Sequence, residues 1–445
     1  MHKVRSAAVA GAFYPAEPQT LTQDVLALLA ASKAPADAAS PKALIVPHAG
    51  YIYSGATAAL AYGRLFKLRD SIRRVVLLGP VHRVPVRGLA LPDADFFATA
   101  LGNIEIDQQA RSVIAQLPQV VVSAAAHAQE HSLEVHLPFL QSVLKDFKLL
   151  PLAVGDASAA EVAQVLEALW GGEETLIVIS SDLSHFLTYA QAQAIDRQTA
   201  QQIMNLQSVI THQQACGATP VNGLLLAARR HGLKPELLGL CNSGDSAGDK
   251  ARVVGYASFA FAEPSVGELL LPIARAAIAS ALGVSAQAAE NAQCLQLPGA
   301  CFVTLTQRGQ LRGCIGSLEA RRSLLADVKG NAVAAALQDP RFKPLTAAEL
   351  AMTRVEVSVL SPLQEMHFAS EADALAQLRP GIDGLVFSFG RHRSTFLPQV
   401  WEQMPGAAEF MAQLKRKAGL AADFWDPAIR LQRYSVAKWH EALPA

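Results

Sequence analysis

The sequence predicts an α/β domain with a central, mostly parallel sheet flanked by helices, followed by a smaller α+β domain. Three observations predict this. Apolar runs alternate with segments of helical periodicity from residue 42 to about residue 262. The runs are so continuously apolar that helices are expected to cover the sheet on both faces. After a Pro/Ser/Gly break, the pattern changes to shorter β-rich runs with helices between them, which is typical of an α+β domain.

The elements of the first domain follow in chain order. The apolar runs predict strands in KALIVPHAG (42–50), RRVVLLGPVH (73–82), FKLLPLAVGD (147–156), ETLIVISSDLSH (174–185) and ARVVGYASFAF (251–261). Helical spacing predicts helices in AAEVAQVLEALW (159–170) and AIDRQTAQQIM (194–204). Strands that alternate with helices in this way favour parallel pairing.

A domain boundary is expected where the pattern of apolar and polar residues changes. We place a linker at residues 263–266, between a first domain of residues 1–262 and a second of residues 267–445. The second domain begins with a helical pattern, ELLLPIARAAIASALG. Its further predicted elements are the strand segments CFVTLTQRGQLRGCIGSL, VEVSVLSPL and GLVFSFG and the helix SLLADVKGNAVAAALQ.

Composition excludes several classes of function. Lys plus Arg and Asp plus Glu number 38 each, so no basic field is available to hold a nucleic acid or an anionic bilayer. No stretch approaches the roughly 20 uninterrupted apolar residues of a membrane span, and the N-terminus lacks a signal-peptide core. We therefore expect a cytoplasmic protein. Five cysteines without repeated short spacing predict neither a disulfide framework nor a structural zinc module.

Polar residues stand at the ends of the predicted strands. In open α/β sheets, ligands bind beyond the carboxyl ends of the strands. Two imidazoles and one anionic ligand that leave other coordination positions of the metal open suit non-haem Fe(II). His48, His82 and Cys241 could supply this set of ligands. A thiolate also suits zinc or copper, so the metal is less certain than the site. For Asp156, at another strand end, a turn or cap is the simpler interpretation.

The segment SSDLSHF adds a candidate general base. His185 follows Asp182 by three residues, and a carboxylate at that spacing could orient the imidazole ring. From spacing alone, a histidine at a strand end is more often a structural residue than a ligand. Two such histidines together with Cys241 and the Asp182/His185 pair make the two interpretations about equal.

Six motifs in order make a resemblance specific: AGAFYP, VPHAGYIYSG, LLGPVH, EHSLEVHLPFL, SSDLSHF and CNSGD. They resemble the Memo family over essentially all of residues 1–262. That family is similar in fold to the class III extradiol dioxygenases. The resemblance implies that His48, His82 and Cys241 can bind a metal, with His185 in the place of the dioxygenases' catalytic histidine. Asp182 and His131 would line the same pocket. The dioxygenases have a carboxylate where this chain has Cys241, which puts ring cleavage in doubt.

The decamer HAQEHSLEVH (127–136) contains the H-x-x-E-H of an inverted zinc peptidase helix. Pro138 would break a helix that runs through this segment, so we expect the helix to begin near Leu137 and the motif to lie in the loop before it. His131 then reaches the pocket and His136 points elsewhere. A zinc-dependent hydrolase stays a minor alternative, with Glu161 or Glu167 as its further carboxylate.

The second domain resembles the AMMECR family through FVTLTQRGQLRGCIGSLE, DPRFKPLTAAEL, VEVSVLSP and GIDGLVF. Cys314 lies in the LRGCIG run, where it is either an exposed reactive thiol or a small residue packed in a β-bend. Arg312 and Arg341 either recognise an anion or are solvated surface groups.

The fusion of these two families resembles two components of the AmmeMemoRadiSam system, whose third component is a radical SAM enzyme. This chain lacks a three-cysteine cluster run, so that partner would be a separate chain. The expected function is a metal-dependent redox protein, dioxygenase-like, acting with this partner on a small-molecule or peptide-borne substrate. The alternative is a non-catalytic binding or scaffold protein with a vestigial metal pocket.

Overall fold

The computed structural model describes residues 2–32, 35, 38–246 and 249–442. The chain separates into two units, Met1–Glu263 and Pro264–Ala445. In the part of the chain that is described, every helix is too short or too polar to cross a membrane.

The first unit is built on a large mixed sheet, with a small three-stranded sheet beside it. Its strands are β1 (Val4–Arg5), β2 (Pro41–Val46), β3 (Arg74–Pro80), β4 (Leu89–Leu91), β5 (Phe96–Thr99), β6 (Gly102–Glu105), β7 (Val120–Val122), β8 (Lys148–Val154), β9 (Thr175–Ser180), β10 (His185–Leu187), β11 (Lys234–Asn242) and β12 (Val253–Ala262). The large sheet has the order β10-β12-β2-β9-β3-β8-β4-β7, and β11 also pairs with β12. The four central strands β2, β9, β3 and β8 are parallel, whereas β12 is antiparallel to β2. The predicted α/β class with a mostly parallel sheet is confirmed.

Helices cover both faces of this sheet. They are α1 (Pro18–Ala31), α2 (Tyr51–Tyr62), α3 (Gln108–Ile114), α4 (Ala124–Ala128), α5 (Leu137–Val143), α6 (Ala159–Ala168), α7 (Tyr189–Met204), α8 (Ala218–Arg230) and α9 (Ser243–Ser246), with short 3₁₀ helices at Gly63–Leu68 and Glu134–His136. Helix α5 begins at Leu137 with Pro138 in its first turn, as predicted. There the missing N–H of proline disrupts no helical hydrogen bond.

The two faces of the sheet carry separate apolar cores. Leu44 and Val46 of β2 pack into one core together with Tyr62 of α2. The alternate residues Ala43 and Ile45 pack into the other core, beside α8. Both faces are buried, and burying a large aliphatic side chain stabilises the fold by about 1.5–3 kcal/mol. This explains why the central strands carry continuous apolar runs instead of an alternation of apolar and polar residues.

The second unit is α+β, as predicted. Its strands are β13 (Pro298–Gly299), β14 (Cys301–Gln307), β15 (Gln310–Gly316), β16 (Arg322–Ser323), β17 (Thr353–Leu360), β18 (Gln364–Glu365), β19 (Gly384–Phe389), β20 (His392–Phe396), β21 (Arg430–Tyr434) and β22 (Val436–His440). They form two antiparallel four-stranded sheets, β15-β14-β17-β22 and β18-β21-β19-β20, and the short pair β13-β16. The helices are α10 (Val266–Ala281), α11 (Leu324–Leu337), α12 (Glu371–Gln377) and α13 (Ala407–Lys417), with 3₁₀ helices at Gln293–Gln296, Ala347–Met352 and Pro398–Glu402.

The parallel strands bring three chain segments to one edge of the large sheet. Strands β2, β9 and β3 are neighbours and end at Val46, Ser180 and Pro80. Because parallel strands end at the same edge, the residues that follow them in the chain lie close together.

Candidate metal centre

Three histidines meet at this edge. His48 and His82 follow β2 and β3, and His131 comes from the segment between α4 and α5. One ring nitrogen from each lies within 4.8 Å of the other two. The ring centroids are 5.2 Å apart for His48 and His82, 5.4 Å for His48 and His131, and 4.7 Å for His82 and His131. The structure therefore brings two predicted ligands together with a residue that was expected only to line the pocket.

Hydrogen bonds fix the tautomer of each ring. The Nδ1 atom of His48 lies 2.6 Å from the Ser180 hydroxyl, which itself donates to the carbonyl of Ser132 at 2.6 Å. The Ser180 oxygen therefore accepts a hydrogen bond from the N–H at His48 Nδ1. The Nδ1 atoms of His82 and His131 lie 2.9 and 3.3 Å from one carboxylate oxygen of Glu130. With a proton on each Nδ1, the lone pair of each ring is on Nε2, which is the atom that could bind a metal.

Glu130 organises this part of the site from a buried position. Its carboxylate accepts the backbone N–H groups of His82 at 2.6 Å, of His131 at 3.0 Å and of Ser132 at 3.0 Å. Burial by itself would raise the pKa of Glu130, but the hydrogen bonds from His82 and Ser132 lower it to about 2. Glu130 is thus an ionised acceptor that orients two of the three rings.

Asp182 stabilises the loop of His48. Its Oδ1 accepts the backbone N–H of His48 at 2.7 Å, and its Oδ2 lies 3.9 Å from His48 Nε2. Burial raises the pKa of Asp182 to about 7, against the opposing effect of the His48 hydrogen bond.

His185 lies near the same histidines. Burial lowers the pKa of His185, and the charge of His82 lowers it further. A hydrogen bond to the carbonyl of Leu183 has the opposite effect. That carbonyl is 2.8 Å from His185 Nδ1. The carbonyl of Leu183 therefore orients the ring. The sequence spacing had suggested Asp182 for this role, but the Asp182 carboxylate instead accepts the backbone N–H of His48.

The two cysteines of the first unit differ in their surroundings. Cys241, near the end of β11, has its Sγ 3.0 Å from the Thr57 hydroxyl and is not part of the three-histidine group that the described residues form. Its metal ligation stays a prediction. Cys216, which the sequence analysis did not single out, has its Sγ 3.4 Å from His48 Nε2 and 3.7 Å from the carbonyl of Asp182. No motif or spacing marks Cys216 in the sequence, since its position depends on the fold.

The remaining histidines of the decamer have structural partners. Contrary to the expected loop, His127 lies in α4, where its Nε2 donates to the carbonyl of Ala90 at 2.8 Å. The Nδ1 of His136 lies 2.8 Å from the Tyr62 hydroxyl. Helix α4 ends at Ala128, so the H-x-x-E-H run does not form a single helical turn.

The carboxylates of the hydrolase alternative also serve other roles. Glu161 belongs to the capping box of α6, and Glu167 pairs with His231 at 2.7 Å. This geometry gives no support to a peptidase site.

Glu134 of the same decamer secures the N-terminal segment. It is fully buried and forms an ion pair with Arg5, which is nearly as buried. It also accepts the N–H groups of Ala8 at 2.7 Å and Val9 at 3.0 Å, and the Tyr14 hydroxyl at 2.6 Å. The following loop then places the Phe13 ring 4.9 Å from His131. The AGAFYP motif therefore packs against the candidate site.

In the second unit, Cys314 lies on β15 and is half-buried. The Thr304 hydroxyl donates to its Sγ at 3.4 Å, and its backbone N–H donates to Asp339 at 2.8 Å. Arg341 donates to the Cys314 carbonyl at 3.1 Å and to Asp339 at 2.7 Å. Arg312 pairs with Glu349 at 3.2 Å. Both arginines that were considered for anion recognition are therefore engaged with carboxylates of the protein.

Comparisons with known proteins agree with this division of the chain. Residues 5–260 match the family described as Memo-like protein, and residues 271–439 match AMMECR1. A MEMO1 family protein of Aquifex aeolicus is 36% identical over 272 residues, which cover 58% of this chain and 99% of that protein. A MEMO1 family protein of Archaeoglobus fulgidus is 34% identical over 277 residues, with coverage of 58% and 99%. A solved structure of an uncharacterized protein from Pyrococcus horikoshii is 31% identical and covers 40% of this chain and 92% of its own, with a TM-score of 0.36.

Proposed function

The chain belongs to the Memo-like protein family, and from this premise we propose that its first unit is a non-haem metal protein of the redox type, with Fe(II) as the preferred metal and zinc or copper as substitutes. The observation that carries this proposal is the meeting of three imidazoles, each with its Nδ1 at a hydroxyl or carboxylate oxygen, which leaves the lone pair of each ring on Nε2. Neutral imidazole is a ligand that suits iron, zinc and copper.

The donor set fits a metal with open positions. His48, His82 and His131 would hold it, with Cys241 as the further ligand that the family resemblance implies. Fe(II) bound in this way supplies redox and Lewis-acid chemistry with room for a substrate and dioxygen. Pro80, Val81 and Val86 line a cavity of about 330 Å³ beside His82, together with Cys216 and His212. A cavity of this size suits a small substrate or a single side chain of a peptide.

His185 is the proposed general base. Its Nδ1 is held by the carbonyl of Leu183, so its Nε2 keeps a lone pair that can accept a proton from a substrate hydroxyl. Its ring lies close enough to His48 and His82 for their charges to interact.

Metal analysis tests the proposal. Protein purified without oxygen and loaded with Fe(II) should bind one equivalent of iron per chain. Alanine at His48, His82 or His131 should lower the bound iron to less than half an equivalent. His231→Ala is the matched control, because His231 pairs with Glu167 at the surface of the same unit. Stoichiometric iron in all three variants would refute the site.

The proposed partner is a radical SAM enzyme on a separate chain. The support is the fusion of the Memo-like and AMMECR1 regions in one polypeptide. Affinity capture from the native host, followed by mass spectrometry, should recover a protein that binds an iron–sulfur cluster and S-adenosylmethionine. Repeated capture without such a protein would argue against this partnership and leave the metal site unaffected.

A further inference from the structure

A cleft in the second unit has the features of a binding site that is independent of the metal centre. Its volume is about 680 Å³, which is within the range of small-molecule sites. One wall is formed by the segment that follows β15 and by the start of α11, and the other by β19, β20 and the end of α13.

The cleft carries more positive than negative charge. Its lining contains four cationic side chains, Arg321, Arg322, Arg393 and Lys417, and two carboxylates, Glu319 and Asp327. Both carboxylates are engaged with arginines of the lining, so they do not repel an anion as free carboxylates would. The lining is left with an excess of two positive charges.

Glu319 joins the two walls. Its Oε2 accepts two N–H groups of Arg321, at 2.9 and 2.7 Å, and its Oε1 accepts from Arg393 on β20. One carboxylate thus brings two guanidinium groups from distant parts of the chain together, although they repel each other. About half of the Arg393 side chain stays exposed.

Asp327 fixes a third guanidinium at the base of the cleft. Its buried carboxylate accepts from Arg322 Nε at 2.9 Å, from the Ser317 hydroxyl at 2.7 Å and from the backbone of Cys301 at 2.8 Å. The guanidinium lies directly over Gly330, where a Cβ atom would come within 2.8 Å of Arg322 Nη1. The Asp327 carboxylate thus holds Arg322 in place, and Gly330 leaves the space that its guanidinium group occupies.

We propose that this cleft binds a small molecule that bears a phosphate group. A phosphate monoester carries about 1.5–2 negative charges at neutral pH, which matches the excess charge of the lining. Guanidinium groups held by carboxylates recognise phosphate oxygens with paired hydrogen bonds and lose little side-chain entropy on binding. Leu318 and Val386 provide apolar surface in the same cleft for the remainder of the molecule.

Calorimetric titration of the full chain tests the proposal with defined probes. Pyrophosphate or AMP should bind, and AMP should bind at least tenfold more tightly than adenosine or succinate. Arg393→Gln and Gly330→Ala should each weaken binding at least tenfold, whereas Arg391→Gln should leave it unchanged within twofold. Arg391 is the matched control because it is exposed beside β20 and is not among the residues that line the cleft. Arg391→Gln removes one positive charge, as Arg393→Gln does.

Two sets of results would overturn the proposal. The first is failure of both phosphate probes to bind at millimolar concentration, or binding of succinate or adenosine as tight as that of AMP. The second is wild-type affinity for the probes in Arg393→Gln and Gly330→Ala. If circular dichroism shows that either variant misfolds, Lys417→Gln replaces it, because Lys417 is an exposed cationic residue of the wall that β19, β20 and α13 form.

Discussion

Glu130 holds His82 at two points. Its Oε2 accepts the backbone N–H of His82 at 2.6 Å, and its Oε1 lies 2.9 Å from the ring Nδ1. The loop after β3 and the ring that it carries are therefore positioned by a single buried carboxylate. Because His131 shares the same oxygen, two of the three candidate metal ligands depend on one residue that does not itself join the group.

Glu130→Gln should weaken metal binding about 10–100-fold, since loss of an outer carboxylate commonly has an effect of this size. An amide has one acceptor oxygen and no charge, so it cannot satisfy both rings and three backbone N–H groups. Competition with a chromophoric chelator for Zn(II) measures the change. Glu167→Gln, at a surface carboxylate that also contacts a histidine, is the control. Unchanged affinity in Glu130→Gln would show that the rings are held by other contacts.

Cys241→Ser should remove the thiolate-to-metal absorption of the Co(II)-loaded protein, and Cys216→Ser should retain it. The Cys216 Sγ lies 3.4 Å from His48 Nε2, but its thiol also contacts the Asp182 carbonyl. Burial raises the pKa of both thiols, that of Cys216 to about 12, where the nearby charge of Asp182 adds to the effect. The near-ultraviolet spectrum of each variant decides between the two thiols. Loss of the band only in Cys216→Ser would transfer the ligand role to that residue, and absence of the band from the unaltered protein would exclude both thiols.

His185→Ala should leave metal content unchanged and abolish substrate-dependent oxygen consumption. The ring is oriented by the carbonyl of Leu183 and lies outside the three-histidine group that the described residues form, so its removal should not disturb that group. An oxygen electrode and a panel of catechols provide the first screen. Oxygen consumption that persists in the variant would exclude His185 as the base, and no turnover with any compound would favour the scaffold alternative.

Glu134→Gln should destabilise the first unit by about 3–5 kcal/mol, because it leaves the buried Arg5 guanidinium without its counter-charge. Asp93→Asn should change the stability much less, because the Lys3–Asp93 pair is exposed to solvent and water screens its attraction. Urea unfolding followed by fluorescence compares the two variants. Equal effects would mean that the N-terminal segment is not held through Glu134.

Cys314 should react with iodoacetamide faster than Cys301 in the native protein. Cys301 is fully buried and burial raises the pKa of its thiol, whereas Cys314 is half-buried and lies beside Arg341. A thiol must be reachable and reacts through its ionised form, so the greater exposure of Cys314 and the raised pKa of Cys301 both favour reaction at Cys314. Timed alkylation followed by peptide mass spectrometry gives the two rates. If Cys314 is protected until the chain is denatured, its role is structural.

Local patterns in the sequence determined the central strands and the start of one helix. The runs around Leu44 and Val76 are apolar at every position, which requires burial on both faces, and β2 and β3 formed there. Pro138 excluded a helix through the decamer and placed the start of α5 at Leu137. The positions of His48 and His82 just after these strands were enough to predict that they meet, because the ends of parallel strands share one edge of the sheet.

The tertiary structure alone decided which other side chains join them. The family resemblance placed His131 in the pocket, but its place as the third candidate nitrogen ligand depends on Glu130, which binds the backbone of His82, 48 residues earlier in the chain. Cys216 approaches His48 from 168 residues away, and Glu319, which binds Arg321, also binds Arg393, 74 residues further along the chain. Strand and helix periodicities reflect contacts between near neighbours in the sequence. Contacts between distant side chains depend on how the loops fold back, and no periodicity in the sequence records that.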